Sequence, residues 1–291
     1  MTISFQSDID VLRKVVMKHP EDAFQSEALI DLEWKRLNYL DRPDKSESER
    51  EFGELTGLLR KFGVEVLTLP PVESVGLDSI YTRDASIVTD NGVILCNMGK
   101  RERRGEPEAQ NAFYKDSGIP VLGRIQGSGT LEGGDVTWLD QHTLGVGLGY
   151  RTNAEGIRQL RALLGTEVDV VTASLPHFRG PEDVLHLMST LSPIDTDLAL
   201  VYSPLMSVSF RNSLMAKGFE LVEIAEEEYD SLACNALAVA PRVCVMADGN
   251  PKTEERLRDK GVQVETFSGL ELCLKGTGGP TCLTRTLERE T

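Results

Sequence analysis

Residues 86–99 read SIVTDNGVILCNMG, an apolar run, a polar turn at Asp90-Asn91-Gly92 and a second apolar run. Two such runs around an Asn-Gly turn predict a β-hairpin, and the segments after the hairpin decide the fold. A helix-like segment, EPEAQNAFYKDSG (106–118), leads into a short strand, IPVLGRI (119–125). The same order returns as DVTWLDQHTLGVGLG (135–149), NAEGIRQLRALLG (153–165) and EVDVVTA (167–173). It returns again as STLSPIDTDLALVYSP (189–204), SVSFRNSLMAKG (207–218) and FELVEIA (219–225). A further copy is ALAVAPRVCVMADGN (236–250), KTEERLRDKG (252–261) and VQVETF (262–267). An earlier helix and strand, 48–63 and 64–70, belong to a first unit whose opening strand is VLRKVVMKHP (11–20).

The period of roughly fifty residues lies in the range where repeats signal an array of supersecondary units. Each unit is strand–strand–helix–strand, and its helix carries apolar residues at helical spacing, as at Leu160, Leu163 and Leu164. No Pro-, Gly- or Ser-rich linker separates the units. The pattern predicts an α/β fold of five ββαβ blades, a propeller with strands inside and helices outside, in a single domain over residues 1–291. An ordinary α/β sandwich with coincidental repeats is the alternative.

Composition narrows the function. The 291 residues are 40% hydrophobic and 26% charged, as in ordinary globular proteins, and carry a net charge of −15. That charge argues against nucleic acid and anionic membranes as partners and suits a cationic one. No apolar run approaches a membrane span, and MTISFQSDID lacks the basic and apolar regions of a signal peptide, so a cytosolic protein is expected. The five cysteines show no paired short spacing and no CxxC, and the four histidines form no HExxH, so neither a disulfide framework nor a metal site is expected.

Polar residues cluster where the blades begin. LDSIYTRDAS holds Asp78, Tyr81, Arg83 and Asp84, and GTLEGGDV holds Glu132 and Asp135 around Gly133-Gly134. The first reads alone as a polar turn before a strand; in the second, Gly-Gly permits close ligand approach, so Glu132 reads either as a carboxylate presented at a pocket or as part of a simple turn. His186 in EDVLHLMSTL reads alone as a core histidine. Cys282 in GGPTCLT is either a nucleophile on a stiffened turn or a small apolar residue. Arg104 and Arg151 each follow a second hairpin strand and precede a helix, and arginine suits bidentate carboxylate binding. Lys100, Arg101 and Arg103 read as surface charges, and Cys234, Cys244 and Cys273 as packing residues. Acid, acid, histidine and cysteine thus recur near first strands, the one place where five blades converge.

In that order, LDSIYTRDAS, LEGGDV, RTNAEG, LHL and GGPTCLT resemble the guanidine-modifying (pentein) superfamily, and within it the dimethylarginine dimethylaminohydrolases. The resemblance implies a five-bladed fold with no cofactor and no metal. It implies Cys282 as nucleophile, His186 as general acid and base, and Glu132 as the carboxylate between histidine and guanidinium. It further implies that Asp78 and Asp84 grip the guanidinium, that Arg104 and Arg151 hold a carboxylate, and that residues 36–44, including Leu37, form a lid. Two positions depart from the pattern. Arg83 stands where dimethylarginine hydrolases usually have an acid and makes the stretch look like arginine deiminases. Met188 stands two positions after the histidine, where deiminases usually have an aspartate, and leaves apolar room for an alkylated guanidine.

The implied reaction is hydrolysis of the guanidinium group of a methylated arginine to citrulline and an amine through a covalent S-alkylthiouronium. The partner is a small cationic guanidino substrate, and a homodimer is common for such folds. An arginine deiminase, an amidinotransferase and a non-catalytic arginine-binding protein are the alternatives.

Overall fold

In the computed structural model, residues 3–290 are described. Five small sheets account for all the repeats read from the sequence. In the second blade, Ser86–Thr89 pairs antiparallel with Gly92–Leu95, helix Glu106–Asp116 crosses over, and Val121–Arg124 returns parallel. The third blade repeats this with Val136–Asp140, Thr143–Leu148, helix Ala154–Leu164 and Asp169–Ser174. The fourth uses Leu191–Asp195, Leu198–Val201, helix Val208–Ala216 and Glu220–Glu223. The fifth uses Leu237–Ala240, Val243–Ala247, helix Pro251–Asp259 and Gln263–Phe267.

The first blade corrects one expectation. Val11–Met17 is its central strand, not its opening one. The opening place belongs to Arg285–Glu290, antiparallel to Val11–Met17, which pairs parallel with Glu65–Thr68 across helix Lys45–Lys61. The two ends of the chain therefore close one blade. The short strand Ile3–Ser4 pairs with the other side of Arg285–Glu290, at the edge opposite Glu65–Thr68.

Burial shows which way each blade faces. All residues of Ser86–Thr89 are buried, as are the first four of Val136–Asp140 and of Leu191–Asp195. The third strands, such as Glu65–Thr68 and Gln263–Phe267, are mostly exposed or half-buried. First strands thus line the centre, and third strands and helices form the rim. Helix Lys45–Lys61 illustrates the fit: Asp44 caps it by accepting from Glu47 N at 2.9 Å, and Phe52, Leu55 and Leu59 form its buried stripe.

The centre is not wholly apolar. Arg83, 1% exposed, donates to Asp8 at 3.1 Å and to the carbonyl of Val136 at 3.0 Å. Asp8 also accepts from Thr137 Oγ1 and from Trp138 N. Arg285 and Arg289 complete the cluster; burial pushes each guanidinium down to about 10, with Asp8 opposing the shift.

The blades pass from outer strand to the next inner strand through short irregular turns. These are Thr82–Ala85, Gly133–Asp135, Leu187–Ser189, the turn around Asn235, and Pro280–Leu283. All five entry turns carry a polar side chain to one end of the array.

Candidate active site

Four of the five entry turns supply the residues singled out from the sequence. Glu132 is fully buried and is the centre of the network. Its Oε2 lies 2.8 Å from His186 Nε2 and accepts from Arg151 Nη1 at 3.1 Å, while Oε1 accepts from the backbone N–H of Lys100 at 2.9 Å. Burial alone would push this carboxyl up, but Arg151 and His186 hold it well below the usual carboxylate range.

His186 faces three acids: Glu132, Asp84, whose Oδ1 lies 3.9 Å from Nδ1, and Asp135. Burial opposes its imidazolium, yet these carboxylates outweigh burial and raise its pKa above the usual value. Asp135 accepts from Leu187 N at 3.0 Å and so fixes the turn beside the imidazole; burial pushes Asp135 itself up to about 6. The close approach of His186 and Asp84 depends on Gly134. A Cβ there would stand 2.4 Å from His186 Nδ1 and 2.7 Å from Asp84 Oδ1.

Cys282 is half-buried, whereas Cys96, Cys234, Cys244 and Cys273 are buried. Burial and the nearby charge of Asp84 push the Cys282 thiol up, and Asn235 works the other way. Asn235 Nδ2 donates to Cys282 Sγ at 3.2 Å. Its amide is oriented by Thr281, whose N–H and Oγ1 both donate to Asn235 Oδ1, at 3.0 and 2.6 Å. The fifth entry turn therefore also reaches the site.

Two cavities meet at Cys282 and His186. One, about 90 Å³, holds Asp78, Asp84, Lys100, Arg103 and Arg151 and is roofed by Leu37, Asn38 and Leu40. The other, about 260 Å³, is walled by Leu40, Phe178, Val184, Met188, Tyr229 and Leu232. Of residues 36–44, expected as a lid, Leu37, Asn38 and Leu40 line the charged cavity, and the segment is tied there. The carbonyl of Leu37 accepts from Lys100 Nζ at 2.8 Å, and Leu40 N donates to Lys275 O at 2.7 Å.

The structure changes the reading of the basic stretch KRERRGE. Lys100 and Arg103 are not surface charges. Lys100 Nζ lies 2.6 Å from Asp78 Oδ2. Arg103, 4% exposed, reaches Asp84 Oδ2 at 2.5 Å and forks onto Glu106 at 2.8 and 2.9 Å. Arg104, expected to hold a substrate carboxylate, is exposed and lines neither of these cavities, because the turn at 101–103 directs Arg103 inward and Arg104 out. Arg151 is at the site but rests on Glu132. Arg83 also lines neither cavity, since its guanidinium is spent on Asp8 and the Val136 carbonyl, so it does not read a ligand directly.

Ligand atoms of Asp84, Glu132 and His186 lie within 4.8 Å of one another, close enough to meet at a divalent cation. Arg103 and Arg151 already place positive charge on two of these carboxylates, which opposes that use.

Five ββαβ blades with their reactive side chains on the turns into the inner strands form the pentein arrangement of guanidine-modifying enzymes. More narrowly, the chain belongs to the family described as N,N dimethylarginine dimethylhydrolase, eukaryotic, whose model matches residues 23–284. The N(G),N(G)-dimethylarginine dimethylaminohydrolase of Pseudomonas aeruginosa is 30% identical over 246 residues, covering 84% of this chain and 91% of the relative. A solved structure of the Pseudomonas aeruginosa enzyme, a cysteine-to-serine mutant complexed with citrulline, superposes with a TM-score of 0.77. It is 25% identical and covers 96% of this chain and 99% of that one. The saxitoxin-pathway amidinotransferase of Microseira wollei shares the fold, with a TM-score of 0.81 over 99% of this chain and 98% of its own, at 18% identity.

Proposed function

We propose that the protein hydrolyses the guanidino group of a methylated arginine, giving citrulline and the methylated amine, with Cys282 as nucleophile. The observation that carries this reading is that Cys282 and His186 border one cavity beside the carboxylates Asp78 and Asp84, with Glu132 behind the imidazole. A guanidinium is planar and cationic, and carboxylates bind it by charge-assisted hydrogen bonds. Asp84 Oδ1 is buried without a hydrogen-bond partner and faces His186. Asp84 is therefore placed to take the substrate guanidinium, with Glu132 holding Arg151 and the imidazole from behind, and Arg151 and Lys100, which line the same cavity, are placed to take the carboxylate of the amino acid.

The chemistry follows from the charges. The Cys282 thiol is held up by burial and Asp84, so the resting form is the thiol, and arrival of a cation favours the thiolate. Attack of Sγ on the guanidino carbon forms an S–C bond and a tetrahedral adduct. The imidazolium of His186, kept protonated by its acids, gives its proton to the departing amine as the C–N bond breaks. Neutral His186 then takes a proton from water, whose oxygen attacks the same carbon, and the thiolate leaves.

Product analysis by mass spectrometry tests this. With monomethylarginine and asymmetric dimethylarginine, citrulline is expected from the protein and none from Cys282→Ala. Citrulline from unmethylated arginine alone would make the protein a deiminase instead. Undiminished product from Cys282→Ala would remove the nucleophile.

A further inference from the structure

The apolar cavity is larger than methylated arginine needs. It shares Cys282 and His186 with the charged cavity but differs from it in chemistry. The charged cavity holds the amino-acid anchors: Lys100, Arg103 and Arg151 against Asp78, Asp84 and Glu132. The apolar one offers no such anchors. Its arginine, Arg179, is taken by Asp230 at 2.7 Å and stacks over the Phe178 ring at 4.8 Å. Asp183, half-buried, is the other charged group facing it. An amino acid head therefore belongs in the first cavity, and whatever the guanidine carries on its far nitrogen points into the second.

That direction is also the one the reaction requires. His186 delivers a proton to the leaving nitrogen, and it borders both cavities, so a leaving amine within its reach can extend into the apolar chamber. Two methyl groups, each about the 30 Å³ that a water molecule takes up, would fill a small part of it. Part of the remaining wall is aromatic. Phe178 meets Tyr229 edge-on at 5.8 Å, and Tyr202 stacks behind Tyr229 at 4.4 Å. Met188, buried at the base, supplies a polarizable floor.

Resting on the hydrolase reading above, we propose that this chamber is a leaving-group subsite. It selects guanidines whose departing nitrogen bears an apolar or aromatic group larger than dimethyl. The balance is unchanged: the S–C bond forms, the C–N bond breaks, and the bulky primary amine departs with the proton from His186.

The test compares kcat/KM for citrulline release from Nω-methyl-, Nω,Nω-dimethyl- and Nω-benzyl-arginine. The expected result is a value for the benzyl compound at least equal to that for the dimethyl one. Filling the chamber with Met188→Phe is expected to lower the benzyl-to-methyl ratio about tenfold or more. Because overpacking a buried site can unfold the chain, Tyr229→Ala is measured as well. It opens the wall and is expected to shift preference toward a naphthylmethyl substituent. A benzyl value more than about tenfold below dimethyl, with both variants leaving the ratios unmoved, would overturn the subsite and leave the hydrolase reading intact. No citrulline from any of the three compounds would overturn both.

Discussion

The two cavities that meet at Cys282 are built on opposite principles. In the charged one, almost every group is already committed to another: Lys100 to Asp78, Arg103 to Asp84 and Glu106, Arg151 and His186 to Glu132. In the apolar one, Phe178, Tyr229, Leu232 and Met188 surround open volume and are held by packing. Buried charges must be paired, so the charged wall is pre-organised and intolerant of change. An apolar wall carries no such obligation and can vary in shape at modest cost. On the proposed reading, the contrast places recognition of the guanidinium and choice of its substituent in separate halves of one site, joined by Cys282 and His186.

The largest effect that would break this comparison lies at the junction. His186→Ala is expected to lower kcat by ~10²–10⁴-fold while substrate binding is retained, because the acids that grip the guanidinium remain. Single-turnover kinetics with dimethylarginine and equilibrium binding check the two halves separately. Normal turnover by this variant would remove the histidine from the mechanism.

A second test separates the centre of the array from its site. Arg83 lies outside both cavities, so Arg83→Met is expected to cost about 1–3 kcal/mol of stability through loss of its buried hydrogen bonds to Asp8 and the Val136 carbonyl, with Arg285 and Arg289 still beside Asp8, and no change in the preference for methylated over plain arginine. Denaturant unfolding and substrate competition report these. A change in preference without loss of stability would return Arg83 to the ligand.

The smallest effect concerns the thiol. Losing the Asn235 hydrogen bond is expected to raise the pKa of Cys282 further, because that amide donor favours the thiolate. Since Cys282 already sits above the ordinary thiol range, the pH curve of its alkylation by iodoacetamide should move further to the alkaline side in Asn235→Ala. An unmoved curve would make Asn235 a packing residue. At neutral pH the other four thiols are expected to stay unalkylated in the folded protein, because burial pushes Cys244 up to about 12 and raises Cys96, Cys234 and Cys273 as well.

Local patterns carried the fold well. Hairpins around Asp90-Asn91-Gly92 and their later counterparts, each followed by a helix and a strand, are short-range features, and they marked the blades. Closure of the first blade by Arg285–Glu290 was not legible, because RTLERE carries one apolar residue, Leu287, and says nothing of its partner far away in sequence. The same limit hid part of the site. In KRERRGE six of seven residues are charged, and which cation turns inward is decided by Asp84 and Glu106 across the turn rather than by the local pattern. Asn235 lies in LACNALAV, a run of small and apolar residues with no charge in it. The repeat itself holds the signal that finds it: four entry turns carry a reactive or charged residue, and the matching place on the fifth is Asn235.

Turnover by this route requires a covalent bond between Cys282 and the guanidino carbon. Acid quench of the enzyme during turnover of asymmetric dimethylarginine, followed by peptide mass spectrometry, tests that bond directly. The expected result is a thiouronium adduct on the peptide containing Cys282, at a level that rises and then falls as substrate is consumed. Steady formation of citrulline with Cys282 unmodified throughout, and with its alanine variant equally active, would contradict it.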